Sequence, residues 1–199
     1  MRYLGALIST TGGYNAEICA RLGMAKQEFL AMERIWKHTN ITSRRKNELY
    51  QSCVLSKLLY GLQSIWLTKA QRCKLDGFHC RCLRRIFRIP SSYESRIPNC
   101  EVLNTANSIP LQHKLLKLQL QYYGNIMRNQ RHPGRNLVFR PGTAEVQVCA
   151  DRRRGRPTLS WASELNKHAA QFSSDIFHDC LSRNQWRNSV SKYCHQLAI

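Results

Sequence analysis

Apolar residues recur every three or four positions along most of this chain, and glycine, proline or short polar runs interrupt the series. Ile18, Leu22, Ala25, Phe29, Met32 and Trp36 form one such stripe. Leu75, Phe78, Cys82 and Ile86 form another, and Leu111, Leu115, Leu118, Tyr122 and Ile126 a third. A period near 3.6 lays these side chains along one face of a helix, which must then be buried against a neighbour. The pattern specifies a mainly α fold: a helical bundle with a short N-terminal strand or hairpin, then a smaller helical segment after an extended basic linker.

Punctuation sets the limits of each element. Residues 2–9 read as a short strand, and Thr10 to Gly13 as a turn. Asn15 is a candidate cap for the first helix. A second helix starts near Ser43 with a wide apolar face (Leu49, Cys53, Leu55, Leu58, Leu59, Leu62, Trp66). Gly61 lies within that pattern, at a cost of about 1 kcal/mol relative to alanine. Thr68 caps the third helix and Pro90 ends it. Residues 91–99 read as a loop, followed by a short helix. Ser108 and Pro110 open the fourth helix. Breakers fill 129–151, where "LVF" and "VQVC" read as short strands or extended loop. Ser160 and Trp161 start a helix through about Phe172, and a last helix over 184–197 carries Trp186, Val190, Cys194 and Leu197. The resulting division is 1–13 as a strand and turn, 14–90 as a helical bundle, 91–130 as connecting helices packed on it, 131–158 as the linker, and 159–199 as the C-terminal segment.

Charge bears on partners rather than fold. The 199 residues hold 31 Lys and Arg against 12 Asp and Glu, a net charge of +19. An excess of this size draws polyanions, nucleic acid first and an anionic membrane surface second. No apolar run reaches the roughly 18 residues of a membrane span. No secretory leader is legible, so the expected location is nuclear or cytoplasmic, neither secreted nor transmembrane, with the nine cysteines as reduced thiols. His79 to Cys82 ("HCRC") lies in a helical pattern that points Cys80 and Cys82 about 200° apart, which suits buried thiols better than zinc ligands. Cys194 and His195 are read the same way. Asp175, His178 and Asp179 suit helix capping better than a metal. No two aspartates are adjacent, and no phosphate-loop, nucleophile-elbow or zinc-protease motif occurs. Neither catalytic residues nor a metal or cofactor is expected.

Candidate binding residues cluster in three places. Arg81, Arg84, Arg85 and Arg88 fall at helical neighbour spacing, in a helix that also bears Lys69, Arg72 and Lys74 against the single acid Asp76. They are expected to project to solvent as one cationic ridge that contacts phosphates. Arg44, Arg45 and Lys46 are positioned to extend it. The third cluster is Arg152, Arg153, Arg154 and Arg156 in "DRRRGRPTLSW". Its Arg-Gly-Arg-Pro core is that of a minor-groove AT-hook. Leu159 and Trp161 follow within a few residues, which favours a basic lead-in to a packed helix that contacts phosphates. Insertion at A·T steps and a plain linker remain the other readings.

An ordered series of segments resembles the region that follows the polymerase palm in non-LTR (LINE-type) retrotransposon reverse transcriptases. The series is "YLGALIS" with its glycine turn, "EICARLGMAK", "LYQSCVLSKLLYG", "LDGFHCRCLRRI", "LQLQYYGNIMR" and "RRRGRPTLSW", over about residues 2–161. The resemblance implies a primer-grip-like role for Tyr3, Leu4 and Gly5. It implies a thumb for 15–88 that holds template and primer by the backbone, and RNA or DNA contacts beyond it. It also implies that the paired catalytic aspartates belong to a palm upstream of Tyr3, missing here with the fingers and the endonuclease. The expectation is a non-catalytic, nucleic-acid-binding fragment. The alternatives are a basic helical protein-interaction module and a decayed element without selected function.

Overall fold

The computed structural model describes residues 14–140, 145–147 and 160–197, and the backbone of two short strands near the N-terminus. The fold is mainly helical. The strands, β1 (Arg2–Tyr3) and β2 (Ala6–Leu7), pair antiparallel with Arg2 opposite Leu7 and Tyr3 opposite Ala6. This corrects the single strand read over 2–9: paired strands satisfy each other's backbone groups, which a lone strand leaves open.

Twelve α-helical segments follow among the described residues: α1 (Asn15–Ala31), α2 (Glu33–Lys37), α3 (Ser43–Leu49), α4 (Ser56–Leu59), α5 (Lys69–Phe87), α6 (Ser92–Ser95), α7 (Asn99–Thr105), α8 (Leu111–Arg128), α9 (Arg135–Val138), α10 (Trp161–Ala169), α11 (Ile176–Leu181) and α12 (Arg183–Gln196). A π-turn, Tyr50–Leu55, joins α3 to α4. Gly61 adopts a φ of 77° just past α4, so it stops that helix rather than sitting inside it. The chain divides into two compact units, Met1–Leu62 with Leu67–Lys114, and Gln63–Trp66 with Leu115–Ile199. The breakers of 129–151 had suggested a boundary further along; the division falls within α8.

In the first unit the core gathers Ile18, Ala25, Phe29, Trp36, Tyr50, Val54, Leu58, Leu75, Leu83 and Ile86. Trp36 stacks on Phe29 with centroids 5.1 Å apart and donates its indole N–H to the Phe29 carbonyl at 2.8 Å. The α5 cap is as read: Thr68 accepts from Gln71 N and Gln71 Oε1 accepts from Thr68 N, a reciprocal capping box. Two other caps differ. Asn15 accepts from Gln71 Nε2 at 2.6 Å instead of capping α1. The start of α8 is capped from a distance, with Asp76 Oδ1 accepting from Gln112 N at 3.0 Å. Ser108 is engaged elsewhere, in a chain through the interior. Lys114 Nζ donates to Ser108 Oγ at 3.1 Å, Ser108 Oγ lies 3.2 Å from His79 Nε2, and His79 Nδ1 lies 3.0 Å from the Tyr50 hydroxyl. Burial, reinforced by the Lys114 charge, drives the His79 pKa down to about 3, so the ring is neutral. Burial likewise lowers Lys114 to about 8.

Helix α5 is covered on two sides, by α1, α2 and α3 and by α7. That is why Cys80 and Cys82 are both buried despite pointing apart. Burial pushes the Cys82 thiol up to about 12, which suits a protonated packing residue.

The second unit is built on aromatic rings. Trp186 of α12, fully buried, donates its indole N–H to the Leu120 carbonyl at 2.9 Å. Gly124 makes the approach possible, because a Cβ there would lie 2.6 Å from Trp186 Cδ1. Around this pair pack Leu120, Tyr123, Phe139, Leu165, Val190 and Tyr193, with Phe172 at 5.3 Å from the Trp186 ring. The Trp161 indole donates to the Gln63 carbonyl at 2.9 Å. Asp175 caps α11 by accepting from His178 N, as its position suggested, and Asp179 accepts from Ser173 and Gln185. Leu137 and Val138 fall in the single turn of α9 rather than in a strand, and Phe139 forms an isolated bridge with Val146.

Candidate nucleic-acid interface

The cationic ridge of α5 survives in altered membership. Lys74, Arg81, Arg85 and Arg88 are exposed. Successive steps of seven, four and three residues set them within about 60° of one another around the helix axis. Arg81 makes no ion pair among the described residues. Arg85 pairs with Glu33 of α2, which also pairs with Lys37 at 3.2 Å. Lys37 first, then Arg85, hold the Glu33 carboxyl below its ordinary range. Two cations thus share one acid, and the face keeps a net positive charge.

Arg84 is not part of that face. It is 6% exposed and its guanidinium is spent inside, donating to the carbonyls of Pro90 (3.0 Å) and Ile97, to Ser95 Oγ and to Asn99 Oδ1. The segment 90–99 has few apolar residues and folds around this donor fork instead. Helical spacing alone placed Arg84 with its neighbours, but the second covering of α5 turns that edge of the helix inward.

The second cluster divides in the same way. Arg44 and Arg45 are exposed, and both lie within ion-pair distance of Glu48, at 3.5 and 2.9 Å. Lys46 is 3% exposed and donates to the carbonyls of Trp36 at 2.8 Å and His38 at 2.6 Å. It is an internal tie, not an extension of the ridge. Arg152, Arg153, Arg154 and Arg156 lie outside the described residues, as do Leu4 and Gly5; Tyr3 is described only by its backbone pairing.

The two clusters nevertheless meet. Arg88 Nη2 donates to the Lys37 carbonyl at 3.2 Å, bringing the end of α5 against the end of α2. Beside it opens a recess of about 290 Å³ lined by His38, Thr39, Thr42, Ser43, Lys46 and Arg88, among others. Lys37 and His38 went unread as part of a binding surface, although the "WKH" that ends the first apolar stripe carries the signal. No helix among the described residues is long and apolar enough to cross a membrane. No protein-family model, curated protein or solved structure matches this chain.

Proposed function

We propose that this protein is a non-catalytic nucleic-acid-binding module that grips RNA or DNA by phosphates, akin to the thumb and C-terminal region of the reverse transcriptases its segments resemble. The observation that carries the reading is the row Lys74, Arg81, Arg85 and Arg88 along one exposed face of α5, with Lys37 beside it. A stiff helix presents these cations at fixed spacing, which gives affinity for a regular anionic backbone without reading bases. Titration of a duplex at several salt concentrations tests it. Each neutralised phosphate contributes about −0.9 to the log–log slope for B-DNA. Arg81→Glu with Arg85→Glu should weaken binding strongly while leaving the helix content unchanged. A flat salt response, or full binding by the double variant, rejects the reading.

A protein-interaction role draws support from a different place. Phe177 and Leu181 sit four apart on α11, exposed at 43% and 55%. Retention of a protein partner after nuclease treatment, lost in Phe177→Ser with Leu181→Ser, would favour that role over the first.

A further inference from the structure

We propose that the recess between residues 38–46 and the end of α5 is a binding site for a phosphomonoester, such as the phosphorylated end of a nucleic-acid strand. The proposal rests on the preceding reading only for the source of that phosphate.

Three features converge there. The first is Lys46 in the wall of the recess. Its ammonium is buried, two of its three N–H donors go to backbone carbonyls, and no carboxylate lies within 4.0 Å of it among the described residues. A buried charge without a counter-ion is costly, and an anion in the recess supplies one.

The second is Arg88. It ends α5 in the left-handed region, φ 57°, where the Ile89 N–H closes the turn on the Arg84 carbonyl at 2.8 Å. Glycine is the cheap residue in that conformation, and an arginine accepts strain to stand there. Among the described residues only Nη2 is tied, to the Lys37 carbonyl. The rest of the donor fork remains for a ligand.

The third is the remaining lining. His38 Nδ1 accepts from Asn40 N at 3.2 Å, which leaves Nε2 as the ring nitrogen free to face a ligand. Thr39 and Ser43 add hydroxyls, and no Asp or Glu among the described residues lines the recess. Donors on several sides of a concavity suit a monoester, which has three terminal oxygens, up to two charges and a single arm. A diester has one charge and two arms that must both leave.

The test uses the full chain. Inorganic phosphate is titrated in by calorimetry and by amide chemical shifts of His38 and Arg88, at low salt. Saturable binding with shifts at both residues is expected; its absence overturns the proposal. Arg88→Gly removes the guanidinium and the strain together. It should hold or raise Tm while weakening phosphate binding at least about tenfold. Ser43→Asp places a carboxylate in the recess at an exposed position tolerant of acids, and should abolish binding with the fold intact. Unchanged phosphate affinity in either variant overturns the site. A 5′-phosphorylated oligonucleotide should then outcompete its 5′-hydroxyl twin. Equal competition, with salt-dependent binding of both and no phosphate binding, sinks the recess but leaves the nucleic-acid function standing. Phosphate binding in the recess without oligonucleotide binding does the reverse and assigns the site to a small phosphorylated ligand.

Discussion

In the first unit the interior polar groups are mostly charged or titratable: Lys46, Arg84, His79, and Arg21 with Glu17 at 2.6 Å. In the second the buried donors belong mostly to rings, the indole of Trp186 on the Leu120 carbonyl and the hydroxyl of Tyr123 on Asn166 at 3.0 Å. Arginines do similar work nearer the surface there, Arg128 on the Cys180 carbonyl at 2.9 Å and Arg135 on the Met127 carbonyl. The chain has few acids, so where a cation goes inside it is met largely by carbonyls. An aromatic donor brings its own apolar area to the core, whereas a cation must be desolvated first. Cations in a basic chain therefore fall into two populations, those that tie loops from within and those that face a partner, and only the second can serve as a ridge.

The largest break in this comparison is Trp186→Ala. It empties the centre of the ring-built core and should cost about 3–5 kcal/mol, read from urea unfolding. Acid strikes the other unit. The folded His79 pKa of about 3 lies below the unfolded value of 6.5, so its contribution is complete above pH 6.5 and is lost as pH falls toward 3. Unfolding free energies from urea titrations at pH 7 and pH 4 should differ by a few kcal/mol in the native chain, and His79→Gln should flatten that difference. Arg84→Met orphans the carbonyls of Pro90 and Ile97, and should cost about 1.5–3 kcal/mol with faster amide exchange over 90–99. Arg81→Met should stay within about 0.5 kcal/mol, which separates the inner cation from the outer one. Asp76→Ala uncaps α8 and should cost about 0.5–2 kcal/mol, measured the same way.

What the sequence made legible was local. The stripes of α1 and α5, the Thr68 cap and the entry at Ser160 and Trp161 depend on neighbours within a turn or two, and each stands near its expected place. In α8, by contrast, Leu118 is exposed and the buried row runs through Leu116, Leu120 and Tyr123, and in α12 Leu197 is exposed. Long-range pairings escaped it. Asp76 caps a helix 36 residues away, and Lys46 reaches back to Trp36 and His38. Periodicity names a buried face only when a helix has one covering neighbour. Helix α5 has two coverings, so Arg84 was placed with Arg81, Arg85 and Arg88 although it belongs inside. The recess was invisible for the same reason, since it joins residues from 38–46 to the end of α5.

Chain length, as distinct from composition, has one natural editing point in this protein. Between Asn47 and Leu62 the buried positions form two rows: Asn47, Tyr50, Val54 and Leu58 step by three, four and four, and Leu55, Leu59 and Leu62 by four and three. The π-turn Tyr50–Leu55 lies across the start of the second row and houses one residue more than an α-helix needs. Removing the exposed Gln51 would bring Val54 to three and Leu55 to four residues from Tyr50, both helical spacings, and leave an unbroken helix from Ser43 to Leu59. The shortened chain should fold with its melting temperature little changed, whereas loss of one residue from the middle of α5 would rotate half of its contacts out of register.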